Sequence, residues 1–205
     1  MYRSLCSKLG ATVAFGLCLA AAPASAAGLL GERYAALGYD YTFVESAAYD
    51  DGDGLTLVYN QPLCDTVDIG GSYTHVGYGD ADGRDEVGDF SDQRFQLLVT
   101  AYEMPQLDRV WVRFGAGVGM VEHGDDDETN FCWSALIGSE YTLGEKTVLH
   151  PYLGWSDVLD DSETTTFHYG LQCVFAATEK VGVNLRLEGD HHYNVTLSVG
   201  VLARF

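Results

Sequence analysis

Positive charge is scarce in this sequence. Lys and Arg number 11 against 30 for Asp and Glu, a formal net charge of −19. So little basic surface argues against a nucleic-acid partner, because phosphate binding relies on basic patches. Long apolar runs are also missing. The mean hydropathy of −0.02 excludes a bundle of membrane-spanning helices, but a membrane β-barrel averages its alternating side chains to the same neutral value. No 3.6-residue period runs through the chain, so amphipathic helices are not expected. Disorder is excluded by the opposite property: 47% of the residues are hydrophobic and 12% aromatic, too many for a solvated acidic chain. The 205 residues allow one domain, or two very small ones.

What is present begins with an address. Arg3 and Lys8 precede the apolar run Ala11 to Ala22, which ends near Ala24-Ser25-Ala26. This is the n-region, h-region and A-x-A pattern of a secretory signal, so residues 1–26 are expected to be removed and 27–205 to form the mature domain. The run is too short to span a bilayer. Cys18 follows Phe15-Gly16-Leu17, which is not a lipoprotein processing box, so no lipid anchor is expected. Cleavage removes two positive charges and changes the formal charge from −19 to −21. It also leaves three cysteines, Cys64, Cys132 and Cys173. An odd count leaves a free thiol, and the spacing fits no zinc site. Cys132 and Cys173 fall on opposite sheet faces, which argues against a bridge.

The mature chain alternates apolar and polar residues. Tyr193, Val195, Leu197, Val199, Val201, Ala203 and Phe205 are apolar, and Asn194, Thr196, Ser198, Gly200 and Arg204 fall between them. That length suits a tilted transmembrane strand of about 9–11 residues. Ten such segments are expected, near 31–44, 54–63, 66–78, 91–102, 109–121, 131–142, 147–157, 165–178, 181–190 and 193–205. A count of eight would require merging or discarding two of them. The seventh is the weakest, because Pro151 removes a ladder donor. Short connections alternate with longer acidic ones, the asymmetry of an outer-membrane barrel. The fold class is therefore all-β: a closed, antiparallel, up-and-down transmembrane β-barrel. A soluble ligand-binding barrel is the alternative. Against it stand large aromatics near the strand ends of the apolar face (Tyr39, Tyr41, Phe43, Trp133, Phe167, Tyr169) and a second face rich in Gly, Ser and Thr, which suits a narrow lumen.

A signal-like leader, amphipathic strands and a terminal aromatic together resemble small bacterial outer-membrane barrels of the OmpA-like transmembrane type. The segment Tyr193 to Phe205 is similar to that family's C-terminal assembly signal. The resemblance implies recognition by the outer-membrane assembly machinery and contact with outer-membrane lipids and lipopolysaccharide. The chain stops at Phe205, so the family's peptidoglycan-binding domain, and with it a cell-wall tether, is not expected.

Candidate chemistry is sparse. Folding the strands about the loops near Asp126, Glu145 and Asp161 places Arg113 opposite Glu140, Glu140 opposite His150 and Gln172 beside His150, with Arg186 following. These five define an expected polar belt in the lumen, since luminal charges need partners. Glu140 with His150 could act as an acid–base pair, but no serine nucleophile stands beside them, so no enzyme is expected. The acidic stretches Asp50 to Gly54 and Asp80 to Asp85 carry hard oxygen ligands without a calcium-loop spacing. They suit at most weak divalent-cation binding. No cofactor and no dedicated metal site are expected. His191 and His192, as adjacent strand-end residues, should point to opposite sides. The function expected is a structural or surface-interaction role with a mostly filled lumen. A narrow cation-preferring channel is the alternative, because acidic loops concentrate cations, and a lipid-modifying hydrolase comes third.

Overall fold

Period-2 alternation gives a strand two unlike faces, and ten such strands close on themselves. The computed structural model describes residues 28–45, 49–80, 90–103, 109–123, 126–158 and 165–205; the leader lies outside them. The strands are β1 (Tyr34–Phe43), β2 (Tyr49–Cys64), β3 (Val67–Asp80), β4 (Phe90–Glu103), β5 (Arg109–His123), β6 (Asp126–Leu143), β7 (Thr147–Val158), β8 (Thr166–Ala176), β9 (Val181–Asp190) and β10 (Val195–Arg204). Each pairs antiparallel with its sequence neighbours, and β1 pairs with β10 from Tyr34↔Arg204 to Phe43↔Val195, which closes the barrel. Among the described residues ten strands close the barrel, not eight.

The apolar face points outward. Leu97 and Phe114 are 65% and 60% exposed, whereas Asp40, Asp68 and Glu140 are 1%, 1% and 4% exposed. A soluble barrel would reverse this order. Trp155, Phe167 and Tyr169 stack along the outer face near the loop end, with ring centroids 5.3 and 6.4 Å apart. The turns at 65–66, 144–146 and 177–180 mark the other end, here called the turn end.

Several boundaries differ from the sequence reading. β2 and β6 each begin five residues early, at Tyr49 and Asp126, so acidic residues expected in loops lie in strands. Ladder hydrogen bonds do not depend on side-chain polarity, so pairing continues beyond the apolar band. Residues 31–33 are not strand; Gly31, with φ of 77°, turns the chain into the barrel. Tyr193 also lies outside its strand, in a turn with φ of 66°, where Asp190 accepts the backbone N–H of His192 and Asn194. His191 and His192 occupy that turn with ring centroids 3.8 Å apart, not on opposite faces. Asp51, one of the candidate cation ligands, accepts hydrogen bonds from Tyr41 and the Val44 N–H. Residues 81–85 of the second acidic stretch lie outside the described residues. Among the described residues, Cys64, Cys132 and Cys173 are free thiols.

Candidate functional site

The lumen is built in three levels. At the turn end, residues 28–33 fold back into the mouth. Two buried carboxylates seat them. Glu140 on β6 accepts the N–H groups of Leu29 (2.8 Å) and Leu30 (3.3 Å), and Asp68 on β3 accepts that of Gly31 (3.0 Å). Arg109 donates to the Leu30 carbonyl and lies 3.3 Å from Glu140. Asn60 and Tyr102 also donate to Asp68. The leucines are both 4% exposed and fill apolar pockets: Leu29 against Tyr34, Val174 and Leu202, Leu30 against Tyr102 and Trp111. Burying two leucine side chains contributes about 3–6 kcal/mol. A Cβ at Gly28 would lie 2.1 Å from a Glu140 oxygen, so a side chain there would have to displace the carboxylate that seats the segment.

The waist comes next. Asp40 of β1 accepts hydrogen bonds from Thr56 and Ser198 and pairs with Arg186 of β9 at 3.1 Å. Such full engagement is what a buried carboxylate requires. Arg113 donates to Thr100 and lies over the Trp111 ring at 5.1 Å.

Above the waist a cavity of about 410 Å³ reaches the loop-end residues Thr42, Tyr78 and Asn194, and a smaller one of about 120 Å³ lies beneath it. Arg113 and Arg186 border both. The upper cavity holds an Asp92–Arg94 pair at 2.6 Å and a chain of contacts across three strands. Ser156 Oγ of β7 lies 2.6 Å from His168 Nε2 of β8, and His168 Nδ1 lies 3.4 Å from Glu188 Oε1 of β9. Tyr152 donates its hydroxyl proton to the other Glu188 oxygen.

The five belt residues all line the lumen but do not form one ring. Glu140 and His150 approach to 3.4 Å. Gln172 faces His150 and Arg186 across its two ladders and bonds Asn184. Arg113 is displaced from its expected place: it pairs with Leu136, and Arg109 stands opposite Glu140. The last described pair of the β5–β6 ladder is His123↔Asp126, and its register is centred midway between those two residues. The expected centre was two residues further on, which slips the register by four.

No protein-family model and no curated protein matches the sequence. Solved structures do. An outer membrane channel from Pseudomonas putida F1 is 12% identical, with a TM-score of 0.55 over 90% of this chain and 97% of that one. By fold, this is a barrel of the outer-membrane type. Two further barrels align less well: KdgM porin in complex with disordered oligogalacturonate (8% identity, TM-score 0.47, 83% of this chain and 99% of that one) and Ail, the attachment invasion locus protein of Yersinia pestis (15%, 0.42, 85% and 99%).

Sequence reasoning missed the N-terminal segment, Asp40, Asp68 and Arg109, together with the Ser156–His168–Glu188 chain. Asp40 was legible as the polar residue between Tyr39 and Tyr41. The seat was not, because nothing in a local pattern shows a short segment turning into the lumen. Among the described residues, no three His, Cys, Asp or Glu side chains converge as a metal site.

Proposed function

We propose that the protein resides in the outer membrane as a barrel closed at its turn end, open only as a cup at its loop end, with a structural or surface-interaction role. The observation that carries this is the N-terminal segment, whose Leu29 and Leu30 are buried in the turn-end mouth above Glu140 and Asp68. The outward apolar face and its aromatic rows suit a bilayer. On this reading residues 1–26 are the cleaved signal, and the new N-terminus at Ala27 adjoins the seated residues. The Val195–Phe205 side chains that face outward next to the closing seam are what the assembly machinery reads. Lipids and lipopolysaccharide contact the outer face, and the acidic loops attract divalent cations weakly. Glu140 has no part in catalysis here, because the segment's N–H groups and Arg109 occupy its oxygens.

Conductance of the refolded mature barrel in a planar bilayer tests the proposal, with heat-modifiable gel mobility as the folding control. Silence is expected. Discrete cation-selective steps from the intact barrel would overturn it in favour of a narrow channel.

A further inference from the structure

The contacts in the loop-end cup have an order that structural hydrogen bonding does not require. A hydroxyl meets one imidazole nitrogen, a carboxylate meets the other, and a phenol holds the carboxylate. A base-activated nucleophile has this arrangement: the base takes the hydroxyl proton, and the carboxylate fixes the tautomer and stabilises the imidazolium that forms. Residues on three adjacent strands supply it. His168 stands opposite Gly154, which offers no competing side chain, and reaches Ser156 diagonally. Glu188 stands opposite Gly170, and Gly170 stands opposite Tyr152. A Cβ on Gly170 would lie 2.5 Å from the Tyr152 ring, so the missing side chain lets the tyrosine cross to Glu188.

The set opens into a space able to hold a ligand. Ser156, His168 and Glu188 all line the cavity of about 410 Å³, which falls within the size range of small-molecule sites. Arg186 lines it too, anchored to Asp40 at 3.1 Å. Its positive charge on the cavity wall suits the negative charge that develops on an acyl oxygen. The remaining walls mix polar Thr56, Ser72 and Thr74 with apolar Val58, Val76 and Leu98, which suits a compact ester with a short acyl group on a polar alcohol.

We propose that Ser156, His168 and Glu188 make the loop-end cup an esterase site for short-chain carboxylic esters of polar alcohols. Ser156 Oγ attacks the ester carbonyl while its proton passes to His168 Nε2. The carbon–oxygen bond to the alcohol breaks, and the alcohol leaves with that proton. Water then attacks the acyl-serine, giving its proton to His168, and the carboxylic acid departs as the serine recovers its proton. Glu188 and Tyr152 are positioning residues that act through His168.

The folded barrel is treated with a fluorophosphonate, and the adduct is mapped by peptide mass spectrometry alongside hydrolysis of p-nitrophenyl acetate. An adduct on Ser156 is expected, with hydrolysis lost in Ser156→Ala. His168→Asn should lower both rates by on the order of a thousandfold or more. Glu188→Gln should lower the maximal labelling rate, and Glu188→Asp should restore part of it, a rescue by the shorter carboxylate that a merely structural role would not give. Heat-modifiable mobility checks each variant, and Ser156→Cys, with alkylation mapped to that position, reports access to the cup. An unlabelled Ser156 in a folded barrel overturns the proposal. So does labelling or hydrolysis that is unchanged in folded His168→Asn.

Discussion

Asp40 shows how one luminal charge is made tolerable. It is 1% exposed and engages Thr56, Ser198 and Arg186 from three other positions on the wall. Removing it leaves Arg186 without its closest carboxylate in a low-dielectric interior. Asp40→Ala should therefore destabilise the barrel by about 3 kcal/mol, read as a lower unfolding midpoint in urea; Asp40→Asn, which keeps hydrogen-bond acceptance, should cost less. Glycine acts by what it leaves out. Gly170→Ala should push the Tyr152 ring aside and break its bond to Glu188. The expected result is slower fluorophosphonate labelling of Ser156 with the folded gel mobility retained. Face assignment was legible at this scale: alternation sorts the side chains into two faces, and the aromatics on one with Gly, Ser and Thr on the other indicate which of them is inside. Diagonal contacts were not. The β7–β8 register follows correctly from a loop centred near Asp161, but His168 reaches Ser156 across a diagonal, two positions from its directly opposed partner Gly154.

The N-terminal segment is the element on which the proposed closure of the turn end depends. Its backbone N–H groups satisfy Glu140 and Asp68, so the seat and the segment support each other. Deleting residues 28–31 should produce conductance steps in a planar bilayer where the intact barrel is silent. Gly28→Val should do so partially, since its side chain collides with Glu140. Strands themselves were legible from period 2, and all ten were found. Their registers were less so, because a hairpin's centre depends on how far pairing runs into polar sequence. The four-residue slip between β5 and β6 arose in this way and exchanged Arg109 for Arg113 beside Glu140. Pro151 kept its strand: the β6–β7 ladder pairs Gly138 with Tyr152 and Tyr141 with Leu149 and skips the two positions between them. Glu140 and His150, one of the skipped pairs, meet there through their side chains.

For the whole molecule, the outer and inner faces obey opposite rules. Leu97 lies midway along β4 and is 65% exposed on the outer face. Leu97→Arg should cost about 2–4 kcal/mol in a bilayer, measured as a lower temperature for the heat-modifiable transition. In detergent the penalty should shrink, because a micelle deforms around the charge. The lumen was legible as polar and mostly filled, but its division into a seated floor, a paired waist and an open cup depends on long-range packing that no local pattern carries. Under the proposed closure of the turn end, that division also fixes a direction of traffic. A vessel with one mouth exchanges its contents with one side only, so a molecule entering above Arg186 leaves by the route it came. Nothing on the far side of the wall can drive, drain or replenish that exchange, and any chemistry in the cup must run downhill on what the loop side supplies.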